Sequence, residues 1–176
     1  MEIGSVEALK QKIRDIPDFP QKGIIFKDIT PLLNDPRSFR TAIDAMAQAY
    51  LGGQVDLVVG IEARGFIIAS ALAYILKAGM TPLRKPGKLP FLTHRASYNL
   101  EYGSAELEIH RDAIKPGQRV IIVDDLLATG GTMRASVDLV RALKAEIIGV
   151  SFLVELSFLE GRKLLQGPPV TSLLTY

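Results

Sequence analysis

The sequence contains no cysteine, and its only histidines are His94 and His110. Without cysteine the chain can form neither disulfide bonds nor thiolate metal sites, and two histidines are too few for a typical zinc site. No apolar run reaches the roughly 18 residues that a membrane-spanning helix needs, and the N-terminal stretch carries charges every few positions instead of an apolar signal segment. These absences predict a cytoplasmic protein without a membrane partner.

An excess of charge of one sign is also missing. The 21 basic and 19 acidic residues give a formal net charge of +2, which is too small to indicate a nucleic-acid partner. Hydrophobic residues make up 48% and charged residues 23% of the 176 positions, as in a globular domain with a sizeable core. We therefore expect a single domain over residues 1–176.

Apolar patterning predicts alternating strands and helices along most of the chain. Continuous apolar runs predict buried strands at residues 55–60, 80–84, 119–125 and 146–156. Helical spacing and capping signals predict helices at residues 5–14, with Ser5 as N-cap, and at 35–50, 65–77 and 132–143. Strands that alternate with helices form parallel sheets with both faces covered. The expected fold class is α/β, with a mainly parallel central sheet flanked by helices.

Two segments depart from this alternation. In residues 105–110, Leu107 and Ile109 alternate with Glu106, Glu108 and His110, which predicts a strand with one face in water. The preceding residues 86–103 are polar and contain several glycines and prolines. A loop of this length within one domain is either mobile or functional.

The most informative stretch is Val120 to Met133, VIIVDDLLATGGTM. A buried strand ends in two adjacent carboxylates, Asp124 and Asp125, and small residues then lead into a helix. Ligands of open parallel sheets bind beyond the carboxyl ends of strands, and the amides at a helix N-terminus suit a phosphate group. Glycines let the main chain approach the ligand closely, and threonine hydroxyls add donors. The loop consists of Ala128, Thr129, Gly130, Gly131 and Thr132.

This order of features fits a ribose 5-phosphate. No lysine follows the glycines as in a Walker loop, and the glycine spacing differs from the dinucleotide fingerprint. Adjacent carboxylates repel a second phosphate but accept hydrogen bonds from a vicinal diol. We expect the 5′-phosphate on residues 128–132 and the 2′- and 3′-hydroxyls on Asp124 and Asp125. The purely structural alternative is an acidic turn before a threonine-capped helix.

The stretch resembles the phosphoribosyl-pyrophosphate signature of type I phosphoribosyltransferases. Four more segments, together with it, resemble the adenine phosphoribosyltransferase family over nearly the full chain: DFPQKGIIFKDITPLL, GIEARGF, RKPGKLP and SYNLEYG. The resemblance implies the type I phosphoribosyltransferase fold, with a small N-terminal hood at about residues 1–35 that contributes to base recognition. It also implies a homodimer, Mg²⁺ as cofactor, and a reaction in which adenine and phosphoribosyl pyrophosphate give AMP and pyrophosphate.

In such a reaction, cations and hydrogen-bond donors must meet the negative charge that develops on pyrophosphate. By resemblance, the main chain at Glu62 and Ala63 and the Arg64 side chain supply them, with a cis peptide bond between Glu62 and Ala63 and a catalytic role for Arg64. The basic run adds three pyrophosphate-binding residues, in their own subunit or a neighbour's: Arg84, Lys85 and Lys88. The structural alternatives are an exposed arginine at a helix start and a solvated charge run.

Residues 86–103 resemble the flexible catalytic loop of the family, which closes over the reacting atoms and excludes water. Glu101 is the expected general acid, which would protonate N7 of the purine while the bond at N9 forms. Tyr102 is expected to belong to the same loop. The alternative is an ordinary exposed glutamate.

The base is expected to be read mainly by the main chain. The resemblance implies base contacts from the main chain at Ile25 and Lys27, with Phe26 stacked on one face of adenine and Leu156 near the other. Lys27 departs from the family pattern, in which arginine is usual, so any contact that needs a planar fork is changed here. Phe26 as an ordinary core aromatic is the alternative.

Metal binding and two rival functions complete the predictions. Mg²⁺ is expected to bind mainly through pyrophosphate, ribose hydroxyls and water, with Asp124 and Asp125 as the candidate direct ligands. A hypoxanthine-guanine or xanthine transferase on the same fold would read a 6-oxo group and so invert the base contacts. A non-catalytic regulator that binds phosphoribosyl pyrophosphate would need a nucleic-acid module, and the N-terminal residues show no helix-turn-helix pattern.

Overall fold

The computed structural model describes residues 3–99 and 104–176. Its helices are α1 (Ile3–Lys10), α2 (Thr30–Asn34), α3 (Pro36–Ala47), α4 (Arg64–Leu76) and α5 (Gly131–Ala142). Its strands are β1 (Arg14–Pro17), β2 (Ile25–Asp28), β3 (Leu57–Ile61), β4 (Gly79–Leu83), β5 (Thr93–Asn99), β6 (Ser104–His110), β7 (Arg119–Leu127), β8 (Glu146–Glu155) and β9 (Val170–Thr175). Two 3₁₀ helices, Ser157–Leu159 and Gly161–Leu164, follow β8. Within the described ranges, no helix is long and apolar enough to cross a lipid bilayer.

Five strands form a parallel sheet in the order β4-β3-β7-β8-β9. Successive strand residues point to opposite faces of a sheet. Val58 and Ile121 accordingly belong to the core that α3 and α4 cover. Val59 and Ile122 belong to the second core, on the side of α5. The prediction of an α/β fold with a parallel central sheet between helical layers is therefore confirmed.

The N-terminal elements differ from the predicted boundaries. Helix α1 ends at Lys10 instead of residue 14, and it begins before Ser5, which therefore is not its N-cap. Residues Arg14–Pro17 form β1 and pair antiparallel with β2, where Arg14 Nη2 lies 2.7 Å from Asp28 Oδ2. Helix α3 begins as predicted, because the Asp35 side chain accepts a hydrogen bond of 2.7 Å from the Ser38 amide.

An antiparallel hairpin of β5 and β6 corrects two predictions. Part of the predicted loop 86–103 is strand β5, whose described register runs from Thr93 opposite His110 to Asn99 opposite Ser104. The predicted wet face of β6 is wrong at Glu108, which is only 1% exposed. The basic run covers this residue, since the Gly87 amide donates to Glu108 Oε2 at 3.2 Å. Residues 100–103, which include Glu101 and Tyr102, lie outside the described residues.

Candidate active site

Three adjacent strands bring three of the predicted site segments to one edge of the sheet. Strands β3, β7 and β8 run parallel, so their carboxyl ends lie side by side. The loop at residues 62–63 follows β3, the phosphate loop (residues 128–132) follows β7, and Leu156 follows β8. Parallel sheets bind ligands at this edge, and the topology therefore gathers segments that are far apart in the sequence.

The phosphate loop joins β7 to the N-terminus of α5. Gly130 has a φ of 86° just before the helix begins at Gly131, and this left-handed conformation favours glycine. The first amides of an α-helix have no acceptor within the helix, so those of α5 are available to a ligand. A cavity of about 60 Å³ lies against the loop, and its lining includes Asp124, Ala128, Thr129, Gly130 and Thr132. The arrangement suits a bound phosphate.

The two adjacent carboxylates differ in their surroundings. Asp125 is buried, and its Oδ2 lies 2.5 Å from Arg64 Nε. Asp124 accepts a hydrogen bond of 2.9 Å from the Asp125 amide and is partly exposed at the cavity. Burial, and after it the negative charge of Asp125, raises the pKa of Asp124 well above its ordinary value. One carboxylate is thus held by a cation while the other faces the cavity.

Close packing between α4 and β7 fixes Asp124. A Cβ atom at Gly65 would lie 2.8 Å from Asp124 Oδ1 and 3.0 Å from the Val123 carbonyl oxygen. Only glycine leaves room for this approach, which brings the start of α4 against the end of β7. The sequence motif contains Gly65, but its contact with Asp124 has no signal in the sequence.

The loop after β3 carries the residues that were predicted to bind pyrophosphate. A cis peptide bond joins Glu62 and Ala63, as the resemblance implied. The Glu62 carboxylate accepts hydrogen bonds from Arg84 Nη2 at 3.0 Å and from the Lys85 amide at 2.9 Å. The hydrogen bond from Arg84 is the main cause that lowers the pKa of Glu62. Arg84 therefore ties this loop to the basic run, where Lys85 and Lys88 are exposed.

Arg64 connects this loop with the carboxylates at the end of β7 and with strand β2. It was predicted to face pyrophosphate, and here its guanidinium contacts Asp125 and lies 4.7 Å from the centre of the Phe26 ring. Phe26 in turn makes an edge-to-face contact with Phe19, with 5.2 Å between ring centres. Phe26 is partly exposed, so the alternative of an ordinary core aromatic does not describe it.

A larger cavity, of about 830 Å³, opens between the β1–β2 hairpin and the carboxyl edge of the sheet. All four residues that were predicted to bind the base line this cavity, which we call the base pocket after that prediction: Ile25, Phe26, Lys27 and Leu156. Ala128 and Thr129 line both cavities. The two cavities are therefore neighbours that share a wall, as a nucleotide with its base and its 5′-phosphate requires.

Tyr176 lines the base pocket although no sequence motif indicated it. Lys27 Nζ lies 3.9 Å from the centre of the Tyr176 ring and 2.7 Å from Asp15 Oδ1, which is the geometry of a cation–π contact combined with an ion pair. The Lys27 side chain is thus held by Asp15 and Tyr176. This leaves the main chain of β2 as the part of the residue suited to the base.

Comparison with known proteins agrees with this geometry. Residues 28–165 match the family model described as phosphoribosyl transferase domain. The chain is 60% identical over 171 residues to an adenine phosphoribosyltransferase from Pelobacter propionicus, which covers 97% of this chain and 99% of the relative.

Solved structures agree as well. The crystal structure of adenine phosphoribosyltransferase from Thermoanaerobacter pseudethanolicus has a TM-score of 0.94 at 53% identity, covering 97% of this chain and 99% of the other. The Saccharomyces cerevisiae enzyme of the same name, solved with D-2,5-dideoxy-2,5-imino-altritol 1,6-bisphosphate and adenine, has a TM-score of 0.92 at 40% identity, covering 98% and 99%. The similarity thus covers nearly the full length of the chain.

Proposed function

Because the chain belongs to the adenine phosphoribosyltransferase family, we propose that it transfers the 5-phosphoribosyl group of phosphoribosyl pyrophosphate to adenine, forming AMP and pyrophosphate. The observation that carries this proposal is the wall that the phosphate cavity and the base pocket share at Ala128 and Thr129. A nucleotide laid across that wall places its ribose beside Asp124 and Asp125. The related yeast enzyme, which was solved with adenine, supports the same base.

The phosphoribosyl group is bound by the phosphate loop and the two carboxylates. Amides at the start of α5 and the Thr129 and Thr132 hydroxyls donate to the 5′-phosphate. Asp124 and Asp125 accept hydrogen bonds from the ribose hydroxyls. These contacts fix the anomeric carbon between the base pocket and the loop at residues 62–63, so that the reaction proceeds from a positioned substrate.

Bond breaking separates charge in the site. The bond from the anomeric carbon to pyrophosphate breaks with its electron pair on the leaving group, and the bond to N9 of adenine forms. The N9 proton leaves to water, and the proton that Glu101 gives to N7 then returns to the Glu101 carboxylate. The carboxylates of Asp124 and Asp125 stabilise the positive charge on the ribose. Nearby cations and amides stabilise the negative charge on pyrophosphate. The groups we assign to pyrophosphate are the main chain at Glu62 and Ala63 and the side chains of Arg64, Arg84, Lys85 and Lys88.

Main-chain groups of β2 recognise adenine in this proposal. Among the described residues β2 pairs with β1 alone, so its second edge offers N–H and C=O groups to a ligand. Carbonyl and amide groups at Ile25 and Lys27 match the 6-amino donor and the N1 acceptor of adenine. Phe26 and Leu156, both in the lining of the base pocket, supply apolar contact with the ring.

Mg²⁺ is the proposed cofactor. Within residues 3–99 and 104–176, no group of three or more His, Asp or Glu side chains is placed to hold a metal ion. Hard cations of this kind bind oxygen atoms and retain several waters. The adjacent carboxylates of Asp124 and Asp125 fit as partial ligands, with pyrophosphate and ribose oxygens as the others. When bound, the ion would neutralise negative charge on the leaving group.

Glu101 is the proposed general acid, and its ionisation should be visible in the pH dependence of turnover. A general acid acts while it is protonated, so kcat falls as the pH rises through its pKa. We expect Glu101→Gln to lower kcat and to remove this alkaline limb, because an amide has no proton to release in this range. Steady-state rates across pH measure both effects. A variant with an unchanged profile would contradict the assignment.

We also propose a homodimer, formed through an apolar patch on α4 that consists of Ile67 and Tyr74. The Tyr74 side chain is 87% exposed and Ile67 is 45% exposed, and a spacing of two helical turns puts them on one face. Exposed apolar patches mark interaction surfaces. We expect Tyr74→Glu to yield monomers in light scattering, whereas Tyr74→Phe keeps the dimer. A wild-type monomer, or a dimeric Tyr74→Glu variant, would overturn this patch as the interface.

Base selectivity tests the proposed function directly. We expect rapid AMP formation from adenine and slow or no nucleotide formation from hypoxanthine, guanine or xanthine, since a 6-oxo group inverts the contacts at β2. Faster turnover of hypoxanthine would replace the adenine assignment by the rival transferase. Binding of phosphoribosyl pyrophosphate without transfer to any base would favour a regulator.

We place the reaction in the cytoplasm, because the highly charged sugar substrate does not cross a bilayer unaided.

A further inference from the structure

The phosphate loop rests against a glycine from a different part of the chain. A Cβ atom at Gly161, the first residue of the second 3₁₀ helix, would lie 2.0 Å from the Ala128 carbonyl oxygen and 2.9 Å from the Gly130 amide nitrogen. The contact is mutual, because a Cβ atom at Gly130 would lie 2.4 Å from the Gly161 carbonyl oxygen. Two main-chain segments therefore touch with no space for a side chain between them.

Space, not backbone conformation, requires glycine at position 161. Gly130 has a positive φ, whereas Gly161 does not. An alanine there would meet no conformational penalty of its own. Its methyl group would have to displace either the phosphate loop or the segment that carries Gly161.

An ion pair holds that segment in place. We call residues 157–164, which contain both 3₁₀ helices, the buttress. Arg162 donates from Nε to Glu155 Oε1 at 3.0 Å, and its Nη2 also contacts Glu155 Oε2. Arg162 Nη1 donates to the Val170 carbonyl oxygen at 2.7 Å, and the Glu155 side chain is only 8% exposed. The buttress is thereby fixed to the last residue of β8 and the first residue of β9, so we expect a methyl group at position 161 to displace the phosphate loop.

We propose that Gly161 is a positioning residue for the 5′-phosphate, and that the Arg162–Glu155 pair holds it under the phosphate loop. This inference rests on the proposed function, since it concerns the phosphate that the loop would bind. The buttress also supplies Phe158 and Leu159 to the base pocket. It therefore lines the base pocket and touches the phosphate loop, although we assign it no group that reacts.

A small displacement of the loop should have a large effect on phosphate binding. The contact of 2.0 Å at Ala128 is about 1 Å too short for any Cβ atom. Hydrogen bonds weaken steeply when their distances and angles are disturbed, and a misplacement of about 1 Å in a binding site can cost about 100-fold. Ala128 and Thr129 also line the base pocket, but a ligand without the 5′-phosphate makes no hydrogen bonds to the loop amides, so the loss should be much larger for ligands that carry the phosphate.

A comparison of AMP with adenosine isolates this effect. The two ligands share the base and the ribose, and only AMP has the 5′-phosphate. We expect Gly161→Ala to weaken AMP binding by about 10- to 100-fold and adenosine binding by less than about threefold, measured by calorimetry or competitive inhibition. The KM for phosphoribosyl pyrophosphate should rise with the AMP dissociation constant.

Gly53→Ala is the matched control. Its Cβ atom would lie 3.6 Å from the Tyr50 carbonyl oxygen, which is an ordinary contact, and it lies in the turn after α3. We expect the ratio of AMP to adenosine affinity to stay within about twofold of wild type in this variant. A purely structural role of Gly161 would weaken both ligands equally and leave the ratio unchanged, and that result in folded Gly161→Ala protein overturns the inference.

A second variant covers the case in which Gly161→Ala does not fold, which circular dichroism would show. Arg162→Lys retains the charge but loses the forked contact with Glu155, and we expect it to lower the AMP to adenosine ratio at least threefold. An unchanged ratio would overturn the inference. Wild-type protein that fails to prefer AMP over adenosine would instead refute the proposed phosphate loop, and with it the proposed function.

Discussion

Replacement of both Asp124 and Asp125 by asparagine is expected to lower kcat/KM for phosphoribosyl pyrophosphate by about 10²- to 10⁴-fold. A hydrogen bond to a charged acceptor contributes about 1.5–3 kcal/mol, and two such bonds to the ribose hydroxyls are weakened together. The carboxylates also stabilise the positive charge that develops on the ribose in the transition state, which asparagine cannot do. Steady-state kinetics with varied phosphoribosyl pyrophosphate and saturating adenine measures the loss.

The single variants separate two contributions to this effect. Asp125→Asn also deprives Arg64 of its anionic partner at 2.5 Å, whereas Asp124 lines the cavity and has no cation in contact among the residues that the structure describes. The effects of the two substitutions should therefore not be additive, and a double-mutant cycle measures their coupling.

Asp138→Asn on α5 is the control for this pair, because Asp138 forms a half-exposed ion pair with Arg134 and lies outside the proposed site. Its kinetics should match those of wild type. Wild-type kinetics in both active-site single variants would contradict the proposed diol contacts.

The central sheet could be predicted because its signals are local. β3 and β7 are continuous apolar runs, because their residues face the two helical layers in alternation and are buried on both faces of the sheet. β9 (VTSLLT) and β5 (THRASYN) lack this signal. They are strands because of their partners, β8 and β6. Pairing between segments is a non-local property, and a single short polar segment does not reveal it.

Glu108 shows the same limit at a single residue. Alternation in β6 correctly placed Leu107 and Ile109 in the core. It failed at Glu108 because Arg84 pairs with this residue through main-chain hydrogen bonds of 3.0 and 2.7 Å. The residues that follow Arg84 then form a layer over the Glu108 side chain, where the Gly87 amide donates to Oε2. Arg95 Nε, 2.5 Å from Glu108 Oε1, then compensates the buried charge. A pattern within one strand carries no information about such a layer.

In the candidate site too, the residues within contiguous motifs could be predicted, whereas the contacts between distant segments could not. The strand end with Asp124 and Asp125, the glycines of the phosphate loop and the apolar groups of the base pocket are contiguous motifs, and topology brings them to one edge. The contacts of Lys27 with Tyr176, of Gly65 with Asp124 and of Gly161 with Ala128 join distant segments. No spacing rule predicts them, although they fix the positions of the predicted residues.

The second large effect is expected from Arg64→Ala, which should lower kcat by about 10²- to 10³-fold. Its guanidinium contacts the Asp125 carboxylate, and removal of a preorganised charge from a catalytic site costs about 10²- to 10³-fold in rate. The substitution also leaves the buried Asp125 carboxylate without its partner. It removes the guanidinium that lies 4.7 Å from the centre of the Phe26 ring. Single-turnover kinetics separates the loss in the chemical step from weaker binding.

The same substitution should shift the acidic limb of the pH profile. Burial and the Asp125 charge raise the pKa of Asp124, and the Arg64 charge opposes them. Loss of that positive charge makes the ionised carboxylate less stable, so the pKa rises further. If the diol requires ionised Asp124, kcat/KM then starts to fall at a higher pH in Arg64→Ala than in wild type.

Arg64→Lys separates charge from shape. Lysine retains the positive charge that lowers the pKa of Asp124 but not the planar fork. The acidic limb of Arg64→Lys should therefore coincide with that of wild type, while its kcat stays reduced. An acidic limb that remains in place in Arg64→Ala would show that Arg64 does not set the ionisation of Asp124. A kcat of Arg64→Ala within about threefold of wild type would show that Arg64 does not stabilise the leaving group.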